Sequence, residues 1–292
     1  MPASAPISVL IPAHNAEAFL ADAIRSVHTQ SLQASEIVVA ADACTDRTSD
    51  IAAELGAKVV ELSRQNMAAA LNAAVNASTQ PWIAFLDADD IWEKTKLAYQ
   101  WKAIEACPNA ALISCDYFML QRGKTTSLPA SFLHNRWKDS NSVKIGRVCR
   151  FVEKADGDFL PRLDLATTIC VMVQREVFDR VGWFDEDLLF GQTLEFFARV
   201  LACYPLAFVE KPLAYHRRHE RNHTGNLEGY WPTYISIING MLKYPGRYPK
   251  GTGEAYRRRL KTQFHGFERD LAQRKKETAI RTSAHPNKPN HL

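Results

Sequence analysis

The chain has 292 residues, 46% of them hydrophobic and 23% charged, a balance that suits a soluble globular protein built as one large domain with an appendage or as two small domains. No stretch approaches the ~20 apolar residues of a membrane span. Residues 1–6 have neither the basic start nor the apolar core of a secretory leader. The six cysteines are scattered without a C-x-x-C pair, so reduced thiols in a cytoplasmic protein are expected.

The formal charge of +4 is uneven, because residues 250–292 carry a surplus of seven positive charges and the remainder a net −3. Such a tail is either a solvated helix face or a contact for an anionic partner, here read as a peripheral contact with an anionic membrane rather than with nucleic acid.

Residues 7–11 form a continuous apolar run, as expected of a parallel strand covered on both faces. Phe19, Leu20, Ala23, Ile24 and Val27 then recur at helical spacing. Residues 36–41 read as a second strand. A helix is expected over 45–55, with Thr45 as N-cap and Gly56 just past its end. Strands over 58–62, 82–86 and 111–115 alternate with helices over 66–77 and 94–106. This repetition predicts an α/β fold with an open, mostly parallel sheet flanked by helices. Ligands of such sheets bind outside the carboxyl ends of the strands.

Residues 121–164 are polar and weakly patterned, like a long surface insertion. Order returns with a strand-like run over 165–174, a helix over 195–201 and a short strand over 206–210. Beyond residue 224, two helical stripes (Trp231, Tyr234, Ile235, Ile238, Met241, Leu242 and then Tyr256, Leu260, Phe264, Phe267, Leu271) suggest a helical appendage that packs on the body or forms a homodimer. Residues 274–292 have the composition of a disordered tail. The domain boundary is therefore expected between 225 and 226.

The strongest chemical signal is Asp87-Ala88-Asp89-Asp90, in which a buried strand ends in three carboxylates. Carboxylates packed so closely repel one another unless a cation neutralises them. Mg²⁺ and Mn²⁺ take oxygen ligands, commonly one or two carboxylates plus substrate phosphates. One Asp here would suit a helix N-terminus, but three exceed that need. Asp42 ends the second strand, where a lone carboxylate can accept a hydrogen bond from a base or a ribose. Pro12-Ala13-His14-Asn15 follows the first strand and opens toward the same edge.

These segments, in order, resemble family 2 glycosyltransferases of the GT-A fold. The resemblance rests on Ile7-Ser8-Val9-Leu10-Ile11-Pro12-Ala13-His14-Asn15, on Ser26-Val27-His28-Thr29-Gln30-Ser31, and on Glu36-Ile37-Val38-Val39. It continues through Thr45-Asp46-Arg47-Thr48 and Phe85-Leu86-Asp87-Ala88-Asp89-Asp90-Ile91-Trp92, then the stretch 175–186 and Tyr215-His216-Arg217-Arg218-His219. It implies a metal-dependent, inverting transfer of sugar from a nucleotide-sugar, with UDP the expected nucleotide, to a saccharide or lipid-linked acceptor in polysaccharide, lipopolysaccharide or glycolipid assembly. By the same resemblance Pro12, Ala13, His14 and Glu17 line the nucleotide pocket, Asp42 holds uracil or ribose, and Asp87 and Ala88 approach the ribose. Asp89, with Asp90 and His219, meets the metal (Mn²⁺ or Mg²⁺), and Arg217 and His219 neutralise the leaving diphosphate.

Three positions depart from the family pattern. Ala41 replaces the first of two adjacent acids, and Leu71 stands where an arginine often precedes Asn72. The catalytic Glu-Asp pair falls at Gln192-Thr193, neither of which is a base. An inverting transfer needs a carboxylate near the acceptor hydroxyl, so Glu195, Asp185 and Asp187 become the candidates. A silent nucleotide-sugar binder is the alternative. His219-Glu220-Arg221-Asn222-His223 matches H-E-x-x-H, but its polar flanks offer no apolar stripe for the helix a zinc peptidase requires. No G-x-G-x-x-G follows the first strand, which speaks against a dinucleotide enzyme.

Overall fold

The computed structural model describes residues 4–121, 124–127, 142–153, 168–188 and 191–219, with residues 247, 248 and 254. The protein is a mixed α/β structure with a large central sheet. Its first half is parallel throughout. Strands β1 (Ser4–Ala13), β2 (Gln33–Asp42), β3 (Lys58–Leu62) and β4 (Trp82–Phe85) lie in the order β3-β2-β1-β4. Helices α1 (Leu20–His28), α2 (Thr48–Glu54) and α3 (Met67–Ala77) make the connections.

The second half is mixed. A short strand β5 (Ile91–Trp92) and helix α4 (Lys96–Ala106) follow the carboxylate turn. Strand β6 (Leu112–Gln121) comes next, with β7 (Lys124–Ser127) folded antiparallel against it. Strands β8 (Val143–Ile145) and β9 (Cys149–Val152) form a hairpin at the far edge. A 3-10 turn over Thr168–Cys170 leads into β10 (Met172–Gln174), which runs antiparallel between β4 and β6. Helices α5 (Val177–Val181) and α6 (Gln192–Cys203) and strand β11 (Leu206–Arg218) complete the described chain. Strand β11 pairs parallel with β6 and antiparallel with β9 and β5.

The apolar strands bury side chains on both faces of the sheet. One face carries α3 and α6, where Leu10, Ile83, Phe85 and Leu112 meet Leu71, Phe196 and Phe197. The other carries α1 and α4, where Val9, Ile11, Ala84 and Ile113 meet Leu20, Ile24 and Leu97. Phe85 packs against Phe184 and Phe197 at ring-centroid distances of 5.9 Å. Truncating a fully buried Phe of this kind costs about 3–5 kcal/mol.

Several element boundaries differ from those expected. Thr45 does not cap α2; its backbone N–H and hydroxyl donate to Asn15 Oδ1, and the helix begins three residues later. Gly56 does adopt the left-handed conformation past the helix end, at φ 76°. Strand β11 runs on to Arg218 rather than stopping at 210, because its register shifts around Pro212 absorb a residue that cannot donate to the ladder. Part of the stretch 121–164 is strand, since β7, β8 and β9 extend the sheet. The helical stripes beyond 224, the boundary at 225/226 and the tail lie outside the described residues.

Candidate functional site at the carboxyl edge

Parallel register brings the ends of β1, β2 and β4 level. Ala13 pairs with Ala41, Leu10 with Phe85, and Leu86 N–H donates to Leu10 C=O at 3.0 Å. Pro12 and Ala13 are buried strand-end residues, while His14 and Glu17 are exposed on the loop beyond. His14 Nδ1–H donates to the Asp42 carbonyl at 2.6 Å, tying the loop after β1 to the end of β2. Glu17 Oε2 accepts from Arg47 N–H, and Asp46 Oδ2 accepts from Glu17 N–H. Both loop anions therefore brace the entry to α2.

Asp42 has a different task from the one the resemblance implies. Its carboxylate accepts the backbone N–H groups of Arg64, Gln65 and Asn66 at 2.7, 3.0 and 2.7 Å. It thereby holds the loop after β3 in place. Three non-glycine residues with positive φ, Asn15, Ala43 and Gln65, ring this corner at 47°, 52° and 49°. Strained backbone of this sort gathers at functional sites.

The carboxylate turn follows β4. Asp90 N–H donates to Asp87 C=O at 3.1 Å, closing the turn around Ala88 and Asp89. Asp90 is 2% exposed, and its Oδ1 accepts from Arg217 N–H at 2.7 Å. Burial, with Asp87 and Asp89 close by, holds its carboxyl well above the ordinary range. Burial and Asp89 push Asp87 up to about 7. Asp89 Oδ2 lies 2.9 Å from His219 Nε2. The His219 ring stacks on Phe19 at 4.5 Å, and the Arg217 guanidinium lies over the same ring while reaching Asp22 at 3.1 Å. The end of β11 is thus folded back over the turn. His216, beside it, is held neutral, with its pKa pushed down to about 4 by burial and by Arg218.

These groups fit a hard divalent cation. Among the described residues no three His, Cys, Asp or Glu side chains form a ready-made metal cage. One carboxylate and one imidazole in contact, next to two acids short of compensating charge, suit a cation that draws its remaining ligands from a diphosphate. His219 therefore faces Asp89; the rest of the H-E-x-x-H string, residues 220–223, lies outside the described residues.

On the other side of the turn, α6 presents its N-terminal end. Thr193 Oγ1 and Thr168 Oγ1 lie 3.3 Å apart. The 3-10 turn bearing Thr168 is fixed on one side by Phe85 N–H donating to Val171 C=O, and on the other by Trp92 Nε1–H donating to Ile169 C=O. Gln192, 7% exposed, has no partner for its Oε1 among the described residues.

Of the three acids expected near the acceptor, Glu195 is turned inward. Its oxygens accept from Arg199 Nε and Nη2, each at 2.8 Å, and from Tyr248 Oη–H at 2.7 Å. The i, i+4 spacing and burial of both partners make this an internal ion pair rather than a free base. Asp185 and Asp187 are exposed on a turn, where Asp185 Oδ1 accepts Asp187 N–H at 3.0 Å.

Sequence reasoning passed over Asp116. It is 2% exposed on β6, accepts Tyr117 N–H at 2.8 Å, and is pushed up to about 6 by burial. Its only sequence signal is an acid inside an apolar strand.

Comparison with known proteins bears on the family and the fold. Residues 8–164 match the family model described as Glycosyl transferase family 2. A glycosyltransferase of Rickettsia prowazekii is 23% identical over 241 residues, covering 81% of this chain and 71% of that protein. The structure of Staphylococcus aureus TarS 1–349 in complex with UDP matches at a TM-score of 0.59 and 16% identity, over 81% of this chain and 65% of that one. The mannosyltransferase PcManGT of Pyrobaculum calidifontis, in complex with GDP-Man and Mn²⁺, matches at 0.60 and 18% identity, over 86% and 69%.

Proposed function

The chain belongs to glycosyl transferase family 2, and on that premise we propose that it moves a sugar from a UDP-linked donor to a hydroxyl of a saccharide or lipid-linked acceptor, with inversion and with Mn²⁺ or Mg²⁺ bound. The observation that carries the reading is the carboxylate turn at the carboxyl edge, where burial and mutual repulsion hold Asp87 and Asp90 above the usual carboxylate range and Asp89 meets His219.

In this reading Asp89 and His219 hold the cation, with Asp90 behind them. A cation held there would supply Lewis-acid stabilisation of the leaving diphosphate. Pro12, Ala13 and the loop fixed by His14 and Glu17 wall the nucleotide. Asp42 shapes that wall through residues 64–66, and Asp87 with Ala88 meets the ribose. Arg217 and His219 close over the diphosphate from the end of β11. The nucleotides bound by the neighbours named above, UDP and GDP-Man, support a nucleotide-sugar as the donor class.

The test is isothermal titration of UDP and GDP with and without Mn²⁺. Metal-dependent UDP binding that disappears in Asp89→Ala is expected. Unchanged metal-dependent affinity in that variant would overturn the site. Binding without transfer is the second reading, favoured by the absence of an acid at Gln192-Thr193. It prevails if donors bind and no turnover follows with any acceptor or with water.

Two further expectations concern location. No helix among the described residues is long and apolar enough to cross a membrane. The basic surplus after residue 250 supports a peripheral contact with anionic lipid, each Lys or Arg near such a surface contributing about 1 kcal/mol. Removal of residues 250–292 should lower co-sedimentation with phosphatidylserine vesicles, and equal binding by the shortened protein would refute it.

A further inference from the structure

We propose that Asp116 is the proton acceptor for the attacking hydroxyl, standing in for the carboxylates that Gln192 and Thr193 do not provide; this rests on the glycosyl-transfer reading above. The sheet register carries the argument. Met172 of β10 pairs with Ala84 of β4 on one side and with Ile113 of β6 on the other. Counting three residues toward the carboxyl edge along each strand brings Asp87 and Asp116 to the same level, two strand spacings or about 10 Å apart.

Side-chain alternation points the same way. Ala84, Met172 and Ile113 face the α1–α4 side, as do Leu86, Cys170 and Cys115. Phe85 and Leu112 face the other side. By period two, Asp116 shares the α3–α6 face with Phe85. The N-terminal end of α6 lies over that face, because Phe197 packs on Phe85 and Thr193 meets Thr168. Asp116 therefore lies on the sheet face that carries α6, whose first residue, Gln192, has a buried Oε1 without a partner among the described residues.

The surroundings leave Asp116 without a cationic partner among the groups that shift it. Its pKa is raised to about 6 by burial alone, against one backbone hydrogen bond. Cys115 and Cys170, whose side chains lie on the opposite face of the sheet, are the titratable groups that sense its charge, and the first residues of α6 over its own face, Gln192 and Thr193, carry none. Pro212 of β11 pairs with it and carries no charge. The nearest acid further along α6, Glu195, is neutralised by Arg199. A carboxyl poised near neutrality is what general-base catalysis favours.

The step balances with water as the simplest acceptor. The water oxygen bonds to the anomeric carbon as the bond from that carbon to the diphosphate oxygen breaks. The nucleoside diphosphate leaves with the electron pair, and the proton passes to Asp116 and then to bulk solvent. The experiment is therefore nucleotide release from UDP-GlcNAc, UDP-glucose and GDP-mannose in Mn²⁺, measured across pH 5–9.

Asp116→Asn should lower release about 100-fold or more while UDP affinity stays within about twofold of wild type. Asp116→Glu should keep part of the rate and move the acid limb of the pH profile. A release rate in Asp116→Asn within about threefold of wild type overturns the proposal. So does a wild-type enzyme that binds donor yet releases no nucleotide from any of the three. If Asp116→Asn does not fold, the profile of Asp116→Glu decides, and an unmoved acid limb overturns it. Failure of wild type to bind UDP or GDP at all would instead bring down the nucleotide-sugar reading.

Discussion

The buried Glu195 of α6 and the three acids of the turn after β4 are built in opposite ways. Around α6, Glu195 has every charge answered. Arg199 forks onto both its oxygens and spends its remaining donors on the carbonyls of Val181 and Trp183, and Tyr248 adds a hydroxyl. Around the turn after β4, Asp87 and Asp90 lie close to one another and to Asp89, and their burial and repulsion outweigh the help of the Arg217 N–H and charge, so both carboxyls are held above the usual range. The first arrangement is complete without a ligand and works as a structural joint between α5 and α6. The second becomes electrostatically comfortable only when positive charge arrives. Acid content alone does not mark a site; the shortfall of compensating charge does.

The largest expected effect breaks the complete cluster. Arg199→Ala leaves Glu195 buried and unpaired, which should cost about 3–5 kcal/mol, read as a drop in the denaturant midpoint. Because that joint takes no part in ligand binding, UDP affinity in the surviving folded fraction should stay within about twofold. A parallel loss of affinity would erase the distinction between the clusters.

Next comes the turn itself. Asp89→Ala should abolish the Mn²⁺-dependent part of UDP binding and leave thermal stability without metal unchanged or raised, since one repelling charge has gone. A marked loss of stability in that variant would show that the turn, like the α6 pair, is structural.

A smaller effect follows from pH. Asp87 has a folded pKa of about 7, above the ~3.9 of an unfolded Asp. The native state therefore holds the extra proton between those values, and stability without metal should fall as pH rises from about 4 to about 7. Mn²⁺ held by the neighbouring Asp89 disfavours that proton through its charge and should raise the melting temperature more at pH 8 than at pH 5. Equal shifts at both would mean that the cation lies too far from Asp87 to affect it.

The smallest effect tests the backbone. Ala43 sits at φ 52° with its N–H bonded to Leu62 C=O. Glycine adopts that conformation without steric cost, so Ala43→Gly should raise stability by about 1 kcal/mol, measured by urea unfolding. A loss would show that the entropy of the unfolded chain outweighs the strain at this position.

The parallel half of the fold was legible because its strands are unbroken apolar runs separated by helical stripes, and the acids at their ends stand out against them. The mixed half was not. Strand β11 crosses Pro212 by shifting register, and β8 and β9 carry Lys144 and Arg150 with Arg147 in the turn between them, so no clean period shows. The structure brings His219 to Asp89 and the Arg217 backbone to Asp90. The hold of Asp42 on the loop after β3 was not legible because its partners are backbone groups more than twenty residues away, and backbone donors leave no trace in residue type. Glu195 shows the reverse: its Arg199 partner was visible four residues on, and the structure chose that local contact over a catalytic one. Asp116 went unnoticed because one acid within a strand carries no information until register sets it level with another.

The three amide hydrogen bonds that Asp42 accepts also have a consequence for the heat of binding. Fixing a residue's backbone costs roughly 1–2 kcal/mol in entropy at 25 °C. Along residues 64–66 that cost is met when the protein folds, because Asp42 already holds the segment before any nucleotide arrives. Ligand capture beside this loop should therefore proceed without an ordering penalty from it, and amide hydrogen exchange at 64–66 should be slow in the free protein and change little on saturation with UDP. Asp42→Ala would move that ordering from folding to binding, turning a preformed wall into one that each incoming ligand has to assemble.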